Sequence, residues 1–212
     1  MENIRAIIFD VGGVLSLGRY VRHGSRGHHL MSVHHSMADF FNIDLDSWFD
    51  AIDSVYSKSI EGKISRKKAL FVMSNNLKTT PEKLERLFLL AYKKHFTKNK
   101  ELYKVAYKLK SKGYRIGILS DQWYLSKEAL VKKEYILGFN PVFVSCDIGM
   151  RKPSIKLYKH LIKKLNLKPA EIIFIDNREW NLKPARKMGI KTILFHSNSQ
   201  VIRDMKKFGV TL

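Results

Sequence analysis

Four short segments of this chain place an acid, a hydroxyl, an amine and a second acid at the ends of apolar runs, the groups needed to attack an anionic substrate. Asp10 follows the run Ile4, Arg5, Ala6, Ile7, Ile8 and Phe9 and leads into the turn Gly12-Gly13. A charged group at the end of a buried strand is costly unless it has a partner or a task. A carboxylate there can attack a phosphoryl group, or a carbon bearing a leaving group, and form a covalent intermediate that water opens. Gly12 and Gly13 let the backbone turn sharply and approach a substrate closely. Ser120 ends the run YRIGILS and could donate to a substrate oxygen. Asp121 stands beside it in the same substrate-facing turn, an acid where an anion would be repelled. Lys152 is kept extended by Pro153 and could neutralise both the nucleophile and an anionic substrate. Asp176 and Asn177 close the run EIIFID. With Asp10 and a backbone carbonyl at Gly12 they make a hard-oxygen set suited to Mg2+. Asn181 lies one helical turn beyond Asn177. Each position also has a plainer reading: a strand-ending acid, a turn serine, a surface lysine, a helix N-cap.

Positioning these groups requires strands that end at one edge. Strand-like runs occur at residues 4–9, 114–119, 141–145, 172–175 and 192–195. Helix-like segments separate them at 100–110, 125–135, 155–165, 179–188 and 200–207. This alternation predicts an α/β fold, a doubly wound parallel sheet. Gly113 and Gly189 fall where a left-handed helix cap is wanted. The alternation is interrupted once. Between the first strand and Lys100 no convincing strand is found, and helical periodicity covers 31–41, 45–57, 65–75 and 81–95. Thr80-Pro81 reads as a helix start, and Ser65 as a cap on the preceding helix. The insert reads as a helical cap over the C-terminal edge of the sheet, where open α/β sheets bind ligands. The expected division is 1–15 and 100–212 as core, with 16–99 as cap.

The 212 residues carry a net charge of +20, from 39 Lys and Arg against 19 Asp and Glu. That field favours anionic ligands. The lysines are scattered along helices as on a solvated face, without a basic run interleaved with aromatics, so nucleic acid is the less favoured partner. No apolar run approaches the roughly 18 residues of a membrane span, and no signal-peptide pattern opens the chain. The lone Cys146 excludes an internal disulfide and fits a small buried residue at a strand end. A cytoplasmic setting is expected.

In this order, FDVGGVL, ILSD, the lysine of RKPSIKLY and FIDNREWNLKPARKMGI resemble the four motifs of the haloacid dehalogenase superfamily of aspartate-nucleophile hydrolases, and the insert resembles its C1-type cap. The resemblance implies Asp10 as nucleophile, Ser120 and Lys152 as anion-binding groups, and Asp176 as a magnesium-site acid. In the family's phosphatases, an acid two residues after the nucleophile protonates the leaving group; here that residue is Gly12. The position after Asp176, often a second acid, is Asn177. Both departures remove negative charge and should weaken magnesium binding. A general acid commonly contributes about 10²–10⁴-fold in rate, so a leaving group that needs no proton would suffer less.

Residues 16–37 hold His23, His28, His29, His34 and His35 with Arg19, Arg22 and Arg26. Arg22 is the candidate for substrate recognition at the mouth of the site. The histidines could supply a replacement acid or a transition-metal site, or the stretch could be a polar linker. Trp48, Phe49, Phe71, Leu87 and Phe88 read as packing within the cap. Glu61-Gly62-Lys63 reads as a turn between cap helices. The leading expectation is a Mg2+-dependent phosphatase of a small phosphorylated metabolite. A metal-independent 2-haloacid dehalogenase is the alternative, and so is a non-catalytic member that binds a phosphorylated ligand or nucleic acid. The leaving-group acid would be a cap histidine, Glu179, Asp121 or water.

Overall fold

The computed structural model describes residues 3–19 and 29–212, with the backbone alone at 29–31. Arg22, His23, Arg26 and His28 therefore lie outside the described residues, as does the side chain of His29.

In chain order the elements are β1 (Ala6–Phe9), β2 (Ser16–Gly18), α1 (His29–Phe41), α2 (Leu45–Ile60), α3 (Arg66–Asn76), α4 (Pro81–His95), β3 (Phe96–Lys98) and α5 (Lys100–Ser111). They continue as β4 (Arg115–Ser120), α6 (Tyr124–Leu130), β5 (Val142–Val144), α7 (Ser145–Ile148), α8 (Ile155–Leu165), β6 (Ile172–Asp176), α9 (Glu179–Lys187), β7 (Lys191–Leu194) and α10 (Asn198–Lys207). Five strands form one sheet in the order β5-β4-β1-β6-β7, and every pair in it is parallel. A parallel sheet is covered on both faces, so its strands are apolar throughout. Strand alternation then sorts the side chains between two cores. Ile7, Phe9, Ile173 and Ile175 pack with Leu102, Ala106 and Leu109 of α5 and Val201 and Met205 of α10. Ala6, Ile8, Ile172 and Phe174 pack on the opposite face with Leu157, Leu161 and Leu165 of α8 and Leu182 and Ala185 of α9.

The cap begins and ends on the chain's other pairing. β2 and β3 form a two-stranded antiparallel ribbon, with Leu17 opposite Thr97. This corrects the expectation of a strand-free insert: three-residue strands are too short to show a period of two. Helices α1 to α4 lie between them. Thr80 caps α4, its side chain accepting from the Lys83 N–H, with Pro81 at the first helical position. Ser65 caps α3, the following helix rather than the preceding one, accepting from the Lys68 N–H. Trp48 and Phe88 are fully buried in the cap, whereas Phe71 is half exposed and does not pack there. The predicted helix over 125–135 also breaks. α6 stops at Leu130, and a separate single turn covers Lys133–Tyr135. Cys146 is buried in α7, just past β5 rather than at a strand end.

The cap docks on the core through α6. The Trp123 indole N–H donates to the Tyr92 hydroxyl at 2.8 Å, and its ring meets Phe88 and Tyr56 at centroid separations of 4.7 and 5.4 Å. Gly62, in the turn between α2 and α3, has φ +65° and lies against the Cys146 carbonyl, where a Cβ would come within 2.6 Å. A glycine is thus required for this cap turn to reach the core.

Candidate active site

Three adjacent strands bring the site together. β1 lies between β4 and β6, with Phe9 level with Ile118 on one side and Ile175 on the other. Asp10 follows Phe9, and its backbone N–H continues the ladder to the Ile175 carbonyl at 2.9 Å. Ser120 and Asp176 end the flanking strands, so all three side chains arrive at the C-terminal edge of the sheet.

Three donors converge on Oδ1 of Asp10. The Val11 N–H lies at 2.7 Å, the Ser120 hydroxyl at 2.8 Å and the Lys152 Nζ at 3.1 Å. Lys152 Nζ also donates to Oδ2 of Asp176 at 2.6 Å. The ammonium thus joins two buried carboxylates, itself only 3% exposed. Burial raises the Asp10 pKa to about 6, and Lys152 pulls against that rise. Burial disfavours the charged Lys152, but Asp10, Asp176 and Asp121 outweigh it and hold its pKa above the ordinary value.

Asp176 is held from every side. Its Oδ1 accepts from the Arg178 N–H at 2.8 Å, and Asn181 Nδ2 reaches both oxygens at 3.1 Å. Asn181 is positioned in turn by its carbonyl, which accepts from the Tyr158 hydroxyl at 2.6 Å. Neither Asp176 nor Asn177 is the N-cap of α9; that position is Arg178, which makes no side-chain cap. Asn177 is exposed, and its side chain lies over Gly13.

Asp121 faces Lys152 from behind. Its Oδ1 accepts the Lys152 N–H at 3.0 Å, and Arg151 Nε is 3.9 Å from Oδ2. Burial raises its pKa. The acid that looked misplaced in the sequence therefore anchors the loop that delivers the lysine. Gln122 was missed by sequence reasoning. It is buried, and its Nε2 donates to Ser120 Oγ at 3.0 Å. Its place two residues after Ser120 was the available signal. Of the proposed proton donors, Glu179 pairs with Arg186 at 2.7 Å and His34 is buried in the cap.

A model of the haloacid dehalogenase-like hydrolases matches residues 4–189, most of the chain. The chain belongs to this family. Mouse (Mus musculus) bifunctional epoxide hydrolase 2 is 34% identical over 114 residues, which make up 51% of this chain and 21% of that protein. Glyceraldehyde 3-phosphate phosphatase of Pyrococcus furiosus is 33% identical over 109 residues, 49% of this chain and 44% of that protein. The chain thus spans only about a fifth of the first of these relatives and under half of the second. A family enzyme from Bacteroides thetaiotaomicron, solved in complex with magnesium and inorganic phosphate, shares the fold with a TM-score of 0.70 at 18% identity, covering 92% of this chain and 96% of that one. As a member of this family of hydrolases the chain has a Rossmann-like core and an inserted helical cap region.

Proposed function

We propose that the chain is a Mg2+-dependent phosphatase of small phosphorylated metabolites, working through an aspartyl-phosphate on Asp10. The observation that carries this reading is the Asp10 carboxylate oriented at a strand end by the Ser120 hydroxyl and the Lys152 side chain. The names of two neighbours support it, one a phosphatase and one a magnesium and phosphate complex.

The donor set fits magnesium. Asp10 and Asp176 would offer carboxylate oxygens from adjacent strand ends, the Gly12 carbonyl a third oxygen, and the Asn177 amide a neutral fourth. Among the described residues no group of three or more His, Cys, Asp or Glu is arranged to hold a metal, and Asp10 and Asp176 would be the carboxylates of such a site. Bound there, the ion would neutralise charge developing on the phosphoryl oxygens.

The chain's own groups do the rest. Asp10 attacks phosphorus in line, with the Val11 N–H and Ser120 hydroxyl fixing its carboxylate. Lys152 stabilises charge gathering on the transferred group. Asp121 holds the lysine loop in register. Gly12 and Gly13 let the backbone come close to the substrate.

Phosphate release from p-nitrophenyl phosphate, with Mg2+ or chelator, tests this for wild type and Asp10→Asn. The expected result is turnover that needs Mg2+ and is lost in the variant. Halide release from a 2-haloacid that persists in chelator would replace this reading with dehalogenation.

A further inference from the structure

Gly12 and Gly13 are glycine for different reasons. Gly13 has φ +85°, and a Cβ there would fall 2.2 Å from Nδ2 of Asn177, so that position excludes a side chain. Gly12 lies outside the left-handed region, and a Cβ on it would meet only Nε2 of Gln122, at an ordinary 3.6 Å. The backbone and the space at position 12 therefore both accept a side chain. What faces that space is the Gln122 amide, held by two contacts of its backbone with Ser145 Oγ at 3.0 and 3.1 Å and by its bond to Ser120 Oγ. An amide donates hydrogen bonds but yields no proton near neutral pH.

The described acids around this edge are engaged elsewhere. Asp121 accepts from the Lys152 N–H, Asp176 from Lys152 and Asn181, Glu61 pairs with Lys63 at 2.5 Å, and Glu179 pairs with Arg186. Among the described residues, the groups at this edge orient a nucleophile and hold an anion, and the space beside Gly12 faces an amide.

From this arrangement, and resting on the phosphatase reading, we infer that the substrates are phosphoryl compounds whose leaving group departs as a stable anion. Acyl phosphates, phosphoanhydrides and aryl phosphates belong to this class; alkyl phosphate esters do not. In the first step the Asp10 oxygen bonds to phosphorus while the bond from phosphorus to the leaving oxygen breaks, and that oxygen leaves with the electron pair, unprotonated. In the second, water gives its hydroxyl to phosphorus and its proton to solvent, and the aspartyl oxygen is released. No proton donor for the leaving group is needed at either step.

The test is kcat/KM with Mg2+ along acetyl, p-nitrophenyl, phenyl and methyl phosphate, for wild type and Gly12→Asp. Wild type should fall along the series as steeply as uncatalysed hydrolysis does. Gly12→Asp should raise methyl phosphate relative to acetyl phosphate by about 10²-fold or more, whatever it does to the absolute rates, a general acid being worth about 10²–10⁴-fold. A wild-type dependence much flatter than the uncatalysed one would overturn the inference while leaving the phosphatase standing. No turnover of any member would overturn both. Should Gly12→Asp fail to fold, the wild-type slope decides alone.

Discussion

Lys152 is the residue on which the candidate site depends most. It lies 3.1 Å from Asp10 and 2.6 Å from Asp176, and all three side chains are nearly excluded from water. Such a cluster contributes little net stability when intact, because desolvation offsets the attraction. Removing one partner is different, since it leaves buried charge uncompensated. Lys152→Met should cost roughly 3 kcal/mol of stability in urea unfolding, and lower kcat/KM by about 10²-fold or more. Adding Asp10→Asn should recover part of the stability and none of the activity, because it removes one stranded carboxylate together with the nucleophile. The sequence showed these three residues as strand-end and loop groups of the right chemistry. It did not show that Asp121 and Asn181 would be the ones to hold Lys152 and Asp176. Those bonds depend on how the loop after α7 and the first turn of α9 fold back onto neighbouring strand ends.

Among the cap elements, α1 and α2 meet at His34. Its Nδ1 accepts the Trp48 indole N–H at 3.0 Å, so the ring must be neutral there, with the hydrogen on Nε2. Phe49 and Tyr56 lie against the ring at centroid distances of 5.1 and 5.3 Å. Burial, with His35 adding to it, lowers the His34 pKa from 6.5 to about 4. The unfolded chain therefore takes up a proton near pH 6.5 while the folded chain resists until about pH 4. Stability from this group is complete above pH 6.5 and is lost as the pH falls towards 4, by roughly 3 kcal/mol. Urea unfolding between these limits should show that decline, and His34→Gln should flatten it. An unchanged slope in the variant would assign the acid sensitivity to other groups. The sequence marked His34 as one of a run of histidines at the site mouth. Only its place on the inner face of α1 distinguishes a buried packing residue from a candidate acid.

For the molecule as a whole, the +20 charge acts at long range. A cationic surface raises the encounter rate with anions, and salt screens that field over about 8–10 Å. For a phosphorylated substrate, kcat/KM should fall several-fold between about 20 and 300 mM salt, chiefly through KM. A salt-independent value would mean that only the buried charges steer the substrate. Among the described residues no helix is long and apolar enough to cross a membrane.

The sequence by itself determined the alternation of strands and helices, the positions where carboxylate, hydroxyl and ammonium would meet, and the helical insert. These are written in local periodicity and in residue types at strand ends, which need no partner to be read. The tertiary structure alone decided the β2–β3 ribbon, the break after α6, the docking of Trp123 on Tyr92, and the Gln122 amide facing Gly12. Each depends on contacts between residues distant in the chain or on backbone angles, and neither leaves a periodic trace in the order of residues.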